Sequence, residues 1–524
     1  MIRIRRALFS AYVKDGLLPL AQEVARHGAE ILSSGGTADV LRAGGVTVTP
    51  IESWTGSPEM FGGRVKTLHP RVHGGILHRR DDPSDRAQAA EHDIPPIDLV
   101  VVNLYPFGAA RASGASFEDS IELIDVGGPA MVRAAAKNHA HVVVVTRPED
   151  YEAVRLALSE NDGAVPEALG RQLAARAFAV TSAYDAAIAN YLESVDAADQ
   201  SSSSSRLPAT WRLSAPRLRS LRYGENPAQA GGLYGEGEGF PFDLEQLHGK
   251  ELSYNNYLDL SCGRDVVSEF GESTFAVVIK HGIPCGAALG DDLASAYRAA
   301  RDADPLSAFG GVVVMNSTVD ASTAELLDET FLEAVLAPSF SPDALARLRE
   351  KKNRVLLQAP LATLRARPRS VTGRLCGAGF LLQTALPEGH GEREWKVTSK
   401  RAPDDRERRD LLFGWKVLKH VRSNGILFAR GGRTVGIGSG QTSRIDSIES
   451  ALRKARRSGH DLAGTVLVSD AFFPFRDSVD AAGEAGATAV LQPGGSLRDD
   501  ETRVACDERD MALCLNDARI FSHG

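Results

Sequence analysis

RALFSAYVKDGLLPLAQEVARHGAEILSSGGT, residues 6–37, decides the fold class of the N-terminal part of the chain. Arg6 to Phe9 and Ile31 to Leu32 are short apolar runs that read as buried strands. Between them Leu17, Leu20, Ala21 and Val24 recur at helical spacing, and Pro19 falls in the first turn, where its missing N–H costs little. Ser33-Ser34-Gly35-Gly36-Thr37 then follows a strand and opens a second helix. Val46 to Val48, Leu99 to Leu104 and Val142 to Val145 continue the alternation, which predicts an α/β layout with a largely parallel sheet.

The alternation stops at Asp199 to Pro208, where consecutive serines carry no apolar period and end in a proline. This stretch reads as a linker, giving domains over 1–198 and 209–524 joined by 199–208. Alternation resumes at Ala276 to Ile279, followed by a helix whose Leu411, Leu412, Trp415 and Leu418 share one face. Gly431-Gly432 joins Ile426 to Arg430 and Arg433 to Ile437 as a hairpin, since both glycines tolerate the positive φ of a tight turn. Val466 to Ser469 and Ala489 to Leu491 flank a helical segment from Ser478 to Gly486. The second half is therefore also mixed α/β, in two lobes, with no repetition visible in the residues themselves.

At 524 residues the chain is too long for one ordinary core. Hydrophobic residues at 43% and charged residues at 24% are ordinary soluble composition, and no apolar run approaches the roughly 18 to 20 residues of a membrane span. The opening MIRIRRALFS lacks a long apolar core and a cleavage site and reads as a strand. The five cysteines form neither CxxC pairs nor an even framework, so a reducing cytoplasm is expected. A net charge of −8 gives no general pull on nucleic acid, and an anionic ligand must be held by a local basic pocket.

Two groups of segments carry chemistry. In the first half the turn Ser34-Gly35-Gly36-Thr37 offers backbone N–H groups and hydroxyls to a phosphate at a helix N-terminus. Gly62-Gly63-Arg64-Val65-Lys66-Thr67-Leu68-His69-Pro70 packs two cations, a hydroxyl and a histidine into one loop, as phosphate recognition requires, although a solvated basic loop has the same composition. Asn103-Leu104-Tyr105-Pro106-Phe107 stands at a strand end, and Ile124-Asp125-Val126-Gly127-Gly128 leads to Ala134-Ala135-Ala136-Lys137-Asn138-His139. Strand ends of open α/β sheets face the ligand crevice.

Together these segments resemble the IMP cyclohydrolase domain of the bifunctional purine-biosynthesis enzymes, over almost all of the first 195 residues. The resemblance implies a methylglyoxal-synthase-like domain in which Arg64, Lys66 and Thr67 join the serine-glycine turn around a ribotide phosphate. It further implies that Lys66, Asn103, Tyr105, Asp125 and Lys137 surround the reacting base, with Asp125 and Lys137 near the amide. Ring closure of formyl-AICAR to IMP needs proton movement and oxyanion stabilisation, with no metal. Ser10 and Lys14 belong to the same phosphate pocket, where Val13 and Asp15 depart from the family pattern.

In the second half Lys280-His281 follows a buried strand and precedes Gly282-Ile283-Pro284-Cys285-Gly286. Beside it stand Arg222-Tyr223-Gly224-Glu225-Asn226-Pro227, Ser307-Ala308-Phe309-Gly310-Gly311, Ser423-Asn424, Gly440-Gln441-Thr442-Ser443-Arg444 and Ser469-Asp470-Ala471-Phe472-Phe473-Pro474-Phe475-Arg476-Asp477. These resemble the AICAR transformylase domain of the same family, from about Ser214 to the C-terminus, which implies two cytidine-deaminase-like α/β lobes. By that resemblance His281 is the base that assists the AICAR amine, Lys280 holds transition-state charge and Asn424 orients the formyl group of 10-formyltetrahydrofolate. Arg222, with its neighbour Tyr223, and Arg519 contact AICAR, and Arg444, Phe472, Asp477 and Phe521 belong to the AICAR and folate pocket. A homodimer is implied as well. Ala228 and Ile283 depart from the family motifs.

Two competing readings remain at this level. A catalytically silent purine-nucleotide sensor is favoured by Val13, Ala228 and Ile283 and opposed by the retained Lys66, Asp125, Lys137, Lys280, His281 and Asn424. A zinc nucleoside deaminase is suggested by Pro284-Cys285, yet Ala288 occupies the second cysteine's place and no His-x-Glu precedes it.

Overall fold

The computed structural model describes residues 1–107, 115–199, 207–235, 237, 239–367 and 371–523. It divides into two compact units, Met1–Ser214 and Ala215–Gly524. Residues 200–206 of the expected linker lie outside the described residues, Asp199 ends a helix, and Leu207 and Pro208 have no regular structure.

In the N-terminal unit the elements that build the site are β1 (Arg6–Ala11), α1 (Leu17–Arg26), β2 (Glu30–Ser33), α2 (Gly35–Ala43), β3 (Thr49–Pro50), α3 (Pro70–Leu77), β4 (Leu99–Asn103), α4 (Gly127–Lys137), β5 (Val143–Val145) and α5 (Glu167–Asp199). The sheet order is β3-β2-β1-β4-β5, and every pair is parallel. Leu17, Leu20, Ala21 and Val24 are buried as the helical spacing requires. The strand expected at Val46 to Val48 forms three residues later, at Thr49–Pro50. The Val46 amide is spent on Leu41 O at 3.0 Å, closing the end of α2, so its valine side chain is buried as a cap contact and not as a strand residue. Strand order reverses between β1 and β4, and that reversal opens a crevice at the carboxyl ends of the two strands.

The C-terminal unit contains the same topology twice. The first lobe comprises β6 (Glu245–His248), α6 (Tyr254–Ser268), β7 (Phe275–Lys280), β8 (Ile283–Leu289), α7 (Leu293–Asp302), β9 (Gly311–Met315), β10 (Leu332–Ala337) and β11 (Val355–Gln358). The second comprises β12 (Lys396–Val397), α8 (Asp405–Leu418), β13 (Ile426–Ala429), β14 (Thr434–Gly438), α9 (Arg444–Arg457), β15 (Val466–Ser469), α10 (Asp477–Glu484), β16 (Ala489–Pro493) and β17 (Ala512–Asn516). The sheet orders, β6-β11-β10-β9-β7-β8 and β12-β17-β16-β15-β13-β14, coincide strand for strand, and so does the parallel or antiparallel sense of every pair.

The repetition has left residue-level traces that only the superposed topology reveals. A Cβ at Gly263 of α6 would overlap Val314 of β9, and one at Gly414 of α8 would overlap Val468 of β15. The two helices approach their sheets at equivalent places with the same absence of a side chain. One face of each sheet shares a single core that includes Val277, Val314, Trp415, Leu427 and Val468, while the other faces have separate cores.

The lobes meet edge to edge through their hairpins. Ala288 bridges Arg433 in antiparallel register, and the Leu289 amide donates to Gly432 O at 2.9 Å. Thr434 closes the seam, its buried hydroxyl accepting from Ala287 N at 3.0 Å and donating to Ala287 O at 3.2 Å. Thr434→Val keeps the shape and leaves both polar atoms of a buried peptide without this partner. It is expected to cost about 1–3 kcal/mol and to accelerate amide hydrogen exchange over residues 283–289. Exchange unchanged from wild type would show that the seam does not depend on the hydroxyl.

Candidate functional site

In the N-terminal unit the loops that follow β1, β2 and β4 surround the crevice. Asn103, the last residue of β4, accepts from Val13 N at 2.8 Å and donates to Val13 O at 2.9 Å and to the Tyr151 hydroxyl at 3.1 Å. Its amide thus pins the Tyr12–Gly16 loop as an added rung of pairing would, and a backbone partner imposes no requirement on the side chain of Val13. Thr37 is buried, and its hydroxyl both accepts from Ala11 N at 3.1 Å and donates to Ala11 O at 3.0 Å. It therefore fixes the end of β1, in contrast to its more exposed neighbours.

Those neighbours form a cradle. Gly35 and Gly36, the first residues of α2, are exposed, and Ser34 precedes them. A Cβ at Gly36 would stand 3.8 Å from the Lys14 Cε, and one at Gly35 would stand 3.7 Å from the Lys66 Nζ. Two ammonium groups therefore flank a helix N-terminus whose glycines leave the backbone N–H groups open. Lys14 donates to Tyr12 O at 3.1 Å and Lys66 pairs with Glu59 at 2.7 Å. Arg64 pairs with Glu122 on the surface. Thr67 is buried against Gly127, and Ser10 is half-buried in β1.

Asp125 stands at the opening of α4, where its carboxylate accepts the Gly128 amide at 2.8 Å. Burial lifts its pKa above the ordinary carboxylate value, against the opposing hydrogen bond. Tyr184 of α5 was not singled out in the sequence, yet its hydroxyl accepts the Asp125 amide at 2.9 Å and donates to Leu123 O at 3.0 Å. Tyr105 is exposed and meets Tyr12 edge-on, with centroids 5.6 Å apart. Lys137 does not join this group within one chain. It is the last residue of α4, whose first turn follows Asp125, so a rise of about 1.5 Å per residue places it at the far end of that helix.

In the C-terminal unit the antiparallel seam brings the β7–β8 turn alongside the segment that precedes β13. A Cβ on Gly282 would lie 3.5 Å from the Arg422 guanidinium, two residues before Asn424. His281 occupies a left-handed conformation, φ 56°, and is exposed. Asp259 of α6 holds this turn from below, accepting the Gly282 amide at 2.6 Å and lying against the His281 amide. Burial raises the Asp259 pKa. Lys280 donates to Phe309 O. Burial pushes the nearby Cys285 thiol up to about 12 and raises Cys262 as well, so neither supplies a thiolate at neutral pH.

The second lobe contributes a cluster organised by Asp470, whose side chain is fully buried. Its carboxylate accepts from the Ser423 hydroxyl at 2.6 Å and Gly425 N at 2.8 Å, and pairs with Arg444. Arg444 donates onward to Asn424 Oδ1 at 2.9 Å, while Asn424 Nδ2 donates to Gln441 O at 3.0 Å and Thr442 O at 3.3 Å. The Arg444 guanidinium thus acts inside the protein, setting the orientation of Asn424, and both ends of the Asn424 amide are occupied. The C-terminal segment docks on the same cluster, with Ser423 N donating to Ser522 O at 2.7 Å and Ile520 N to Asp470 O at 3.1 Å. This leaves Arg519 and Phe521 exposed, the guanidinium 4.9 Å from the ring centroid. Phe472 is 36% exposed on the loop after β15, and Asp477 opens α10 with its carboxylate on Ser478 N at 2.6 Å. Arg222 lies over Tyr223 at 4.7 Å, on a loop tied to α6 by Asn255 donating to Glu225 O at 3.2 Å.

Asp259 and Asp470 are the principal residues that sequence reasoning missed. Asp470 lay inside a quoted segment, and its only signal was a charge between two strongly apolar runs; Asp259 carried none.

The chain also matches known proteins. The model of the AICARFT/IMPCHase bienzyme family matches residues 135–454, and that of the MGS-like domain matches residues 16–130. The bifunctional purine biosynthesis protein PurH of Magnetococcus marinus is 46% identical over 100% of both chains. Those of Myxococcus xanthus and Sorangium cellulosum are 49% and 50% identical over 99% of this chain and 100% of theirs. The match extends through both units and includes the segments that form the crevice and the seam, so the chain belongs to the AICARFT/IMPCHase bienzyme family.

Proposed function

We propose that the protein transfers the formyl group of 10-formyltetrahydrofolate to the amine of AICAR and then closes formyl-AICAR to IMP with loss of water. The observation that carries this reading is the approach of Gly282, next to Lys280-His281, to Arg422, next to Ser423-Asn424, at the seam between lobes. A base, an ammonium and a polar loop converge there without a thiolate, as acyl transfer to a weak amine needs. In the transfer, the AICAR amine attacks the formyl carbon while His281 takes its proton. Lys280 stabilises the oxygen charge of the tetrahedral species, and folate N10 leaves. Asp259 and the Asp470–Arg444 pair act as positioning residues on the two sides of the seam.

Cyclisation belongs to the N-terminal unit in this reading. Lys14, Lys66 and the Ser34-Gly35-Gly36 turn hold the ribotide phosphate. The carboxamide nitrogen attacks the formyl carbon, and Asp125, its pKa lifted by burial, exchanges protons with the amide and the departing water. Tyr105 faces the same crevice mouth.

The reading includes a homodimer in the cytoplasm. Two hairpins, Arg217–Leu221 with Gly231–Tyr234 and Val371–Cys376 with Gly379–Thr384, pair with no further strand among the described residues. They expose Leu218, Tyr234, Leu375 and Leu381. A two-stranded hairpin is marginal in water, so a second copy packed on them accounts for their persistence. A reducing compartment suits the free thiols, of which Cys376 is exposed.

His281→Ala is expected to lower kcat for formyl transfer by about 10²- to 10⁴-fold and to spare cyclisation, whereas Ala228→His changes KM for AICAR more than kcat. Steady-state assays of both activities check this, and wild-type kcat in His281→Ala would remove the imidazole from the mechanism. Asp259→Ala should lower formyl-transfer kcat roughly tenfold with KM nearly unchanged, and Asp259→Asn, which keeps an acceptor for the turn amides, should recover most of the loss. Equal defects in both variants would point to the charge in place of the hydrogen bond. Formyl transfer should also fall on dilution in step with dimer dissociation followed by sedimentation; a fully active monomer would exclude a shared site.

A further inference from the structure

A second concavity lies at the other edge of the parallel sheet, where β1 and β4 begin. It encloses about 430 Å³, within the size range of small-molecule sites. Its lining combines Arg5, Arg80, Arg86 and His78 with the apolar Ile94, Pro95 and Pro96.

The acids nearby are already committed. Asp98 accepts from Arg5 N at 2.7 Å and Arg6 N at 2.9 Å and pairs with Arg80. Asp93, the one acidic residue of the lining, pairs with Arg71 at 2.6 Å. Arg79, just outside, is taken by Asp85 at 2.7 Å. Arg5 and Arg86 have no ion-pair partner among the described residues, and the Nε of Arg80 is buried without a hydrogen-bond acceptor. Burial lowers the Arg80 pKa, and the charge of Arg5 adds to the effect. Arg5 and Arg86 thus line one cleft without a carboxylate partner among the described residues, beside an Arg80 guanidinium held by Asp98 and by Ile97 O at 2.6 Å.

Guanidinium forks match phosphate oxygens in pairs, and apolar lining beside them suits the face of a flat ring. We propose that this cleft is a second binding site, for a small phosphorylated ligand with a flat apolar body, separate from the crevice at the strand carboxyl ends. Within this unit the length of β1 and β4 separates it from the crevice, since it stands where those strands begin and the crevice where they end.

The test uses the full-length protein and its Arg5→Ala/Arg86→Ala double variant, both of which should keep both activities, since neither arginine lies in the crevice or at the seam. Equilibrium dialysis with adenosine monophosphate should show one equivalent fewer bound per chain in the double variant, or binding at that site weakened by roughly tenfold for each arginine removed. Lys66→Ala should leave that equivalent in place, which separates the cleft from the crevice. Inorganic phosphate should compete for it, but more weakly than the nucleotide. Identical binding by wild type and double variant would overturn the site, and phosphate binding as tightly as the nucleotide would overturn the role of the apolar lining.

Discussion

The C-terminal unit depends on one antiparallel contact between two sheet edges. Ala288 faces Arg433 and Thr434 caps Ala287 through both its N–H and its carbonyl, which sets the register of the two edges. A slip of one residue would turn every side chain of that edge to the other face. The register brings the turn carrying His281 to the segment carrying Asn424, although 143 positions separate those residues in the chain. The site is a product of the seam, because neither lobe carries both halves.

The duplicated topology explains how two similar lobes came to contribute different groups. Asn316 after β9 accepts the Phe275 amide at 2.9 Å, and Asp470 after β15 accepts the Gly425 amide at 2.8 Å; the two occupy the same place in their lobes. In the first lobe a neutral amide ties the strand start and donates to Ser273 O at 2.8 Å. In the second a carboxylate does the same work and also needs a cation, which Arg444 supplies from the start of α9. A buried ion pair recovers its desolvation cost only when its remaining polar atoms are hydrogen-bonded. Ser423, Ser469 and Asn424 meet that condition, and their orientation is fixed as a result.

The N-terminal unit reaches a comparable end by a different device. Its five parallel strands reverse order between β1 and β4, and the chain at that point is tied by side chains of β4 and α2. Asn103 and Thr37 spend their polar atoms on the backbone of Val13 and Ala11, so the loop shape does not rest on the identity of residue 13. The lysines and glycines stand together at the exposed N-terminus of α2.

The sequence by itself determined the elements and the chemistry-bearing segments. Apolar period and glycine position are local properties, which is why β1, α1, β2, the Gly431-Gly432 hairpin and the loops around Lys66 and Lys280 were legible from residue order. It misplaced the strand at Val46 because a buried valine that closes a helix looks the same in sequence as one in a strand. It did not show that Asp125 precedes the first turn of α4 and that Lys137 ends the same helix. Only the tertiary structure decided that the second half is a repeat, that Asp259 and Asp470 hold the two sides of the seam, and that Arg444 turns inward. Those outcomes depend on which edges pair and which charges are buried together, and pairing between distant segments leaves no period in the chain that forms it.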